Sequence, residues 1–211
     1  MKTITPTPTE MLKRVARFHQ LKPVKQQYNA ADGIPAEAYS AISADRTYIL
    51  MGPADLKSAT GEAPPVIGGD GGEVFTVNIA TCPPGNGSPL HAHHYTHETF
   101  FCLNGRFQVS WGDHGEHELF LEPHDMVAVP PGVTRNFTNV SNSEASLLVL
   151  IQGDRDRFQD VDLTPALAQK IERNFGVEVK RKLELKGLAV TAGVDVPLPA
   201  DQVKQERGQP A

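Results

Sequence analysis

The chain is poor in cysteine. Two cysteines in 211 residues cannot build a disulfide framework, and they suit a reducing compartment. It also lacks a basic surplus. Lys and Arg number 20 against 25 Asp and Glu, a formal net charge of -5. Nucleic-acid binders usually carry a basic domain or stripe, so no nucleic-acid partner is expected. No stretch approaches the roughly 18 consecutive apolar residues of a membrane span, so no membrane partner is expected either. The first twelve residues, MKTITPTPTEML, contain no apolar core of a secretory signal, which makes the cytoplasm the expected compartment. Long helices should be scarce, because Gly at 18 and Pro at 17 exceed average usage and favour turns. The length corresponds to one to one and a half domains at about 150 residues each.

The apolar pattern divides the chain into three parts. Residues 1–73 read as an N-terminal extension with a short helix and some strands. Thr9 is a candidate cap, and Met11, Leu12, Val15 and Phe18 recur at helical spacing. Residues 24–45 are weakly patterned, and 46–51 are strand-like. Residues 58–73 read as a loop. Their glycine run, 68–72, is interrupted by Asp70 and lacks the Lys-Ser/Thr pair of a phosphate-binding loop. Residues 74–152 alternate apolar and polar side chains in short runs between turn signals, as an all-β sandwich or barrel does. Phe107, Val109 and Trp111 share one strand face. In residues 153–211, Thr164 and Pro165 mark the start of a helix with Leu167, Ile171 and Phe175 as its stripe and Gly176 as its end. One further strand is expected within 177–190, followed by a polar tail. The basic run 180–182 reads as a solvated face.

The histidines are not spread evenly. There are eight, and only His19 lies outside residues 91–124; four fall within 91–97. On a strand, residues two apart share a face, so His91 and His93 point into one space. Glu98 follows after a turn and can converge on them. Two imidazoles and a carboxylate make a facial donor set for a divalent metal and leave positions open. His94 and His97 have the opposite parity and should line the mouth or sit exposed, although a turn residue can break parity. His114, His117 and His124 fall on turns or strand ends and read as surface residues.

The spacing runs Gly85, five residues, His91-x-His93, four residues, Glu98, six residues, Gly105. On these residues the segment 74–152 is identified as resembling the cupin superfamily, whose first motif this is. Pro130, Gly132 and Asn139 match the second motif. His124 stands where that motif has its first glycine, and Arg135 where it has its last metal-binding histidine. The resemblance implies a cupin jelly-roll β-barrel with short flanking helices, and a divalent transition metal (iron, manganese, nickel, copper or zinc) on His91, His93 and Glu98. It also implies a homodimer.

A guanidinium cannot ligate a metal, so Arg135 has three possible fates. It pairs with Glu98, it grips a substrate carboxylate or enolate, or it turns to solvent. Residues 98–111 resemble the corresponding strand pair of quercetinase-like cupins, which are metal-dependent dioxygenases. That likeness implies an oxidoreductase acting on a small, aromatic or carboxylate-bearing substrate. Glu98 would serve as metal ligand and base, and Arg135 as anion anchor. Phe100, Cys102, Arg135 and Phe137 would line the pocket. Ordinary core packing is the alternative for Phe100, and a small buried hydrophobe the alternative for Cys102. A non-catalytic small-molecule binder and a metal-independent isomerase are the competing functions.

Overall fold

The computed structural model describes residues 3–24, 32–55, 65–69, 73–154, 157 and 160–194. Its strands form two facing sheets. The first runs β2 (Ile67–Gly69), β1 (Arg46–Pro53), β3 (Glu73–Cys82), β10 (Ala145–Asp154), β5 (His97–Asn104), β8 (Met126–Val129). The second runs β11 (Val161–Leu163), β4 (His91–His93), β9 (Arg135–Asn139), β6 (Phe107–Trp111), β7 (His117–Leu121). This is the jelly-roll barrel expected from the resemblance.

The period-2 pattern explains how the barrel closes. Alternate residues of β5, β6, β9 and β10 turn inward, and the buried Phe100, Phe107, Val109, Phe137, Leu147 and Val149 meet between the sheets. The Phe137 ring sits 5.1 Å from Phe100 and 6.1 Å from Phe107 in edge-on contacts, the arrangement aromatic quadrupoles favour. The motif residues outside the site have backbone roles. Gly85, Gly105 and Gly132 have φ of 75, 74 and 81°, the left-handed region where a Cβ is costly. His124, in the fourth glycine position, keeps that conformation at φ 77°. Asn139, with no exposed surface, donates through Nδ2 to the carbonyls of Cys82 and Ser143, both at 2.8 Å. It thereby ties β9 to the end of β3.

Several expectations from the sequence need correction. The first helix, α1 (Pro8–Leu12), is capped by Thr7 rather than Thr9, because Thr7 and Glu10 form a reciprocal capping box. It ends at Leu12 and buries none of its residues, so the helical stripe does not continue to Phe18. Within the expected loop, 67–69 form β2, which pairs in parallel with β1; residues 58–64 and 70–72 lie outside the described residues. The sheets also extend beyond 74–152, since β1 pairs with β3 and β11 with β4.

The weakly patterned segment 24–45 contains α2 (Ala36–Ser40), which buries Ala38 and Tyr39. It joins α3 (Pro165–Phe175) and α4 (Val177–Leu185) in a second apolar cluster with Ile42, Leu163, Ile171, Leu183 and Leu188. Thr164 caps α3 as expected, accepting from the Leu167 amide at 3.3 Å. Helix α4 replaces the strand expected in 177–190. Its buried residues, Val179 and Leu183, are four apart, a helical spacing that an alternation search misreads. Among the described residues no helix is long and apolar enough to cross a membrane.

Candidate metal centre

The two sheets bring different parts of the site. From the second sheet, β4 supplies His91 and His93, and β9 supplies Arg135 directly opposite His91. From the first sheet, β5 supplies Glu98. One ligand atom each from His91, His93 and Glu98 falls within 4.8 Å of the others, and all three residues are buried. They form a group able to hold a metal ion. The imidazole rings stand 5.2 Å apart at 74° to each other. His91 Nε2 lies 3.9 Å from Glu98 Oε2.

The hydrogen bonds around the imidazoles decide which nitrogen is available. His91 Nδ1–H donates to the Pro89 carbonyl at 2.8 Å, because a carbonyl can only accept. His93 Nδ1–H donates to Asp160 Oδ1 at 2.6 Å. Both Nε2 atoms are left as the electron-pair donors, the tautomer a metal needs. Burial, together with the Arg135 charge, pushes His91 down to about 3, so it is neutral at physiological pH. Burial pushes the Glu98 carboxyl up, but Arg135 and the two histidines outweigh it and hold the group below its ordinary value. Glu98 is therefore a carboxylate. The donor set fits a divalent transition metal: two imidazoles whose Nδ1 atoms are engaged elsewhere and one ionised carboxylate.

Of Arg135's three possible fates, the structure shows the first. Its side chain is 1% exposed and its Nε and Nη2 lie 2.9 and 2.8 Å from Glu98 Oε2. Its Nη1 donates to the Val133 carbonyl at 3.3 Å. The pair spans the two sheets. The guanidinium is thus engaged inside the protein, and it does not line the neighbouring cavity.

That cavity is about 190 Å³ and is bounded by His91, His93, Glu98 and Phe137, with Ile42, Val161 and Leu188 from the helical side closing it. Phe100 and Cys102 share Glu98's strand face but do not reach it. Each step of two residues moves about 7 Å along the strand. Phe100 therefore sits in the aromatic core, and Cys102 Sγ lies farther on, 3.5 Å from the Asn104 carbonyl. Burial raises the Cys102 thiol above its ordinary value, consistent with an unreactive core residue. His94 and His97 are exposed.

One important residue was not legible in the sequence. Asp160 accepts from His93, from the Tyr95 and Thr96 amides at 2.6 and 3.0 Å, and from Thr96 Oγ1 at 3.0 Å. Burial opposes its ionisation, but the bonds from His93, Tyr95 and Thr96 hold it below its ordinary value. It lies 67 residues from His93 in sequence, and no motif points to it. Asp162 is a similar case: it accepts from His94 at 2.9 Å and from the Thr191 amide and hydroxyl at 2.6 Å each. It straps the segment after α4 to the outside of β4.

Residues 78–151 match the family model of the cupin domain. No curated protein matches the chain. Among solved structures, the chain is similar to TT1209 from Thermus thermophilus, at 25% identity over 40% of this chain and 77% of that one, with TM-score 0.36. It is similar to the Cnp3 cupin domain of Schizosaccharomyces pombe at 14% identity, over 51% and 65% of the two chains, with TM-score 0.37. A cupin-superfamily sugar phosphate isomerase from Silicibacter pomeroyi matches at 24% identity over 38% and 59%, with TM-score 0.34. With the motif residues, the jelly roll and the family match all falling on the same segment, residues 78–151 are a cupin domain.

Proposed function

We propose that the protein is a metal-dependent oxidoreductase of the dioxygenase type, acting on a small substrate that chelates the metal. The observation that carries this reading is the donor set itself. His91 and His93 offer Nε2 in tautomers set by Pro89 and Asp160, and Glu98 completes a two-histidine, one-carboxylate triad at the wall of a cavity. Arg135 in place of a fourth ligand leaves three donors, the number that keeps positions open for substrate and O2. When bound, a divalent metal supplies Lewis acidity and one-electron chemistry at those positions.

The chain's own residues do the rest. Pro89 and Asp160 orient the imidazoles. Arg135 keeps Glu98 ionised, which favours its use as ligand over its use as base. The apolar wall, with Phe137, Ile151 and Val161, excludes water from the reactants. The cavity volume, about 190 Å³, lies below the roughly 300–1,000 Å³ of sites for drug-sized ligands. It suits a single ring or a short-chain acid and not the three rings of a flavonol.

The test is metal analysis of the purified protein after repletion with iron, manganese, nickel, copper and zinc, followed by oxygen uptake with catechol and 2-hydroxybenzoate. We expect stoichiometric metal that is lost in the His91→Ala/Glu98→Ala double variant, and uptake that stops with chelator. Metal no higher than in that variant would refute the reading. A second reading is favoured by the Arg135–Glu98 pair, which satisfies the carboxylate without any ion. The barrel would then be a metal-independent binder of small molecules, and chelator would leave ligand-induced thermal shifts intact.

A further inference from the structure

The cavity wall carries polar residues beyond the metal-binding set, Asn78 among them. Asn78, on β3, is 8% exposed and lines the same space as His91 and Glu98. Its Nδ2 donates to Thr76 Oγ1 at 3.2 Å. Its Oδ1 is buried and has no hydrogen-bond partner among the described residues. Native structures rarely leave a buried acceptor unmade, and each instance calls for a reason.

The register places this group relative to the metal-binding end. Glu98 pairs with Ile151 on β10, and Ile151 pairs with Thr76 on β3. Asn78 pairs with Val149, one inward-facing row farther along. Two strand spacings and one such row put the Asn78 and Glu98 Cα atoms about 12 Å apart before side chains reach inward. Apolar side chains of Val149 and Ile151 on the intervening β10 line the wall between these groups. The cavity therefore has a metal-binding group, an apolar stretch and a hydrogen-bonding group in sequence.

We propose that Asn78 is a specificity-determining residue, whose free amide oxygen accepts a hydrogen bond from a hydroxyl at the end of the ligand remote from the metal. The ligand class is a small hydroxylated acid, with a carboxylate or equivalent oxygens at one end and a hydroxyl at the other. This rests on the metal reading above for the carboxylate end only. The Asn78 end needs no metal.

The probes are benzoate and 4-hydroxybenzoate, which differ by the remote hydroxyl alone. Binding is measured by calorimetry on the full chain, zinc-loaded and metal-free, with zinc content determined separately. We expect the parent to prefer 4-hydroxybenzoate by about three- to tenfold, the worth of one neutral hydrogen bond. Asn78→Leu should bind both probes alike and keep the parent's affinity for benzoate. If Asn78→Leu fails to fold, Asn78→Ala carries the same expectation for the binding ratio. A preference that survives in the variants, or a parent without one, overturns the proposal. Absence of zinc with the preference retained in the metal-free arm defeats the metal reading and leaves Asn78 standing. Binding of neither probe in either arm overturns the Asn78 proposal.

Discussion

Replacing Arg135 with Met tests whether guanidinium and metal share the Glu98 carboxylate. The variant keeps an unbranched apolar stem and removes the guanidinium with its charge. In the parent, Arg135 and Glu98 have side chains only 1% and 6% exposed, with contacts of 2.8 and 2.9 Å. Removing one partner of a buried pair leaves an uncompensated charge, at a cost of about 3–5 kcal/mol. For a protein of this size each kcal/mol shifts the melting temperature by about 2–4 °C, so the metal-free variant should melt roughly 6–20 °C lower.

A divalent cation supplies the missing counter-charge. At a concentration one hundred times its Kd it returns about 2.7 kcal/mol. The variant should also bind metal more tightly than the parent. A dication on the Glu98 carboxylate would be repelled by the guanidinium already bound to it, a repulsion the carboxylate offsets in part. A gain of at least tenfold in zinc affinity is the outcome we expect. Thermal melts with chelator or zinc, and calorimetric zinc titrations of both proteins, measure the two effects. A metal-free variant that melts with the parent would refute the stabilising role of the pair. Equal zinc affinities would refute the competition.

Three further outcomes follow from the site and its turns. Asp160→Asn should weaken zinc binding by about 10–100-fold, because the His93 Nδ1–H loses its charged acceptor; an unchanged Kd in a titration would remove Asp160 from the site. Acid should destabilise the protein through His91, held at about 3 in the fold against an ordinary 6.5. The unfolded chain binds the extra proton between those values, so stability is complete above about 6.5 and declines as pH falls toward 3, by on the order of 4–5 kcal/mol. The depressed carboxyls of Glu98 and Asp160 add to the loss in the same direction at lower pH. Urea midpoints at pH 7 and pH 4 check this, and equal midpoints would contradict it. His124→Gly should stabilise by about 0.5–1 kcal/mol, since φ 77° suits glycine, with a melting temperature below the parent's as the adverse result.

The barrel was legible because its cause is local. Alternation along β5, β6, β9 and β10 places Glu98, Phe107, Arg135 and Leu147 inward whatever their neighbours are. The motif glycines announce turns that only left-handed backbone can make, and the structure keeps that backbone even at His124. The helical side was harder to read. Helix α2 is only five residues long, and its buried Ala38 and Tyr39 carry no periodicity until α3 and α4 pack over them. Helix α4 offers only Val179 and Leu183 as buried residues, too few to separate a period of 3.6 from one of 2.

The site divides along the same line. His91, His93 and Glu98 could be named from spacing, because one strand and the short turn that follows it fix their relative directions. The residues that tune them come from strands paired by the tertiary fold. Asp160 reaches His93 only because β11 pairs with β4. Asn78 faces the cavity only because β10 inserts between β3 and β5. Arg135 shows the limit most clearly. Parity indicated that it points inward, and chemistry indicated that a buried cation needs a partner. Choosing between Glu98 and a substrate anion required the distance across the two sheets. The 2.8 Å contact makes Arg135 a counter-ion already in use. Under the proposal above, substrate recognition falls to groups with bonding capacity left, and Asn78, a residue of the cavity wall whose Oδ1 has no hydrogen-bond partner among the described residues, is such a group.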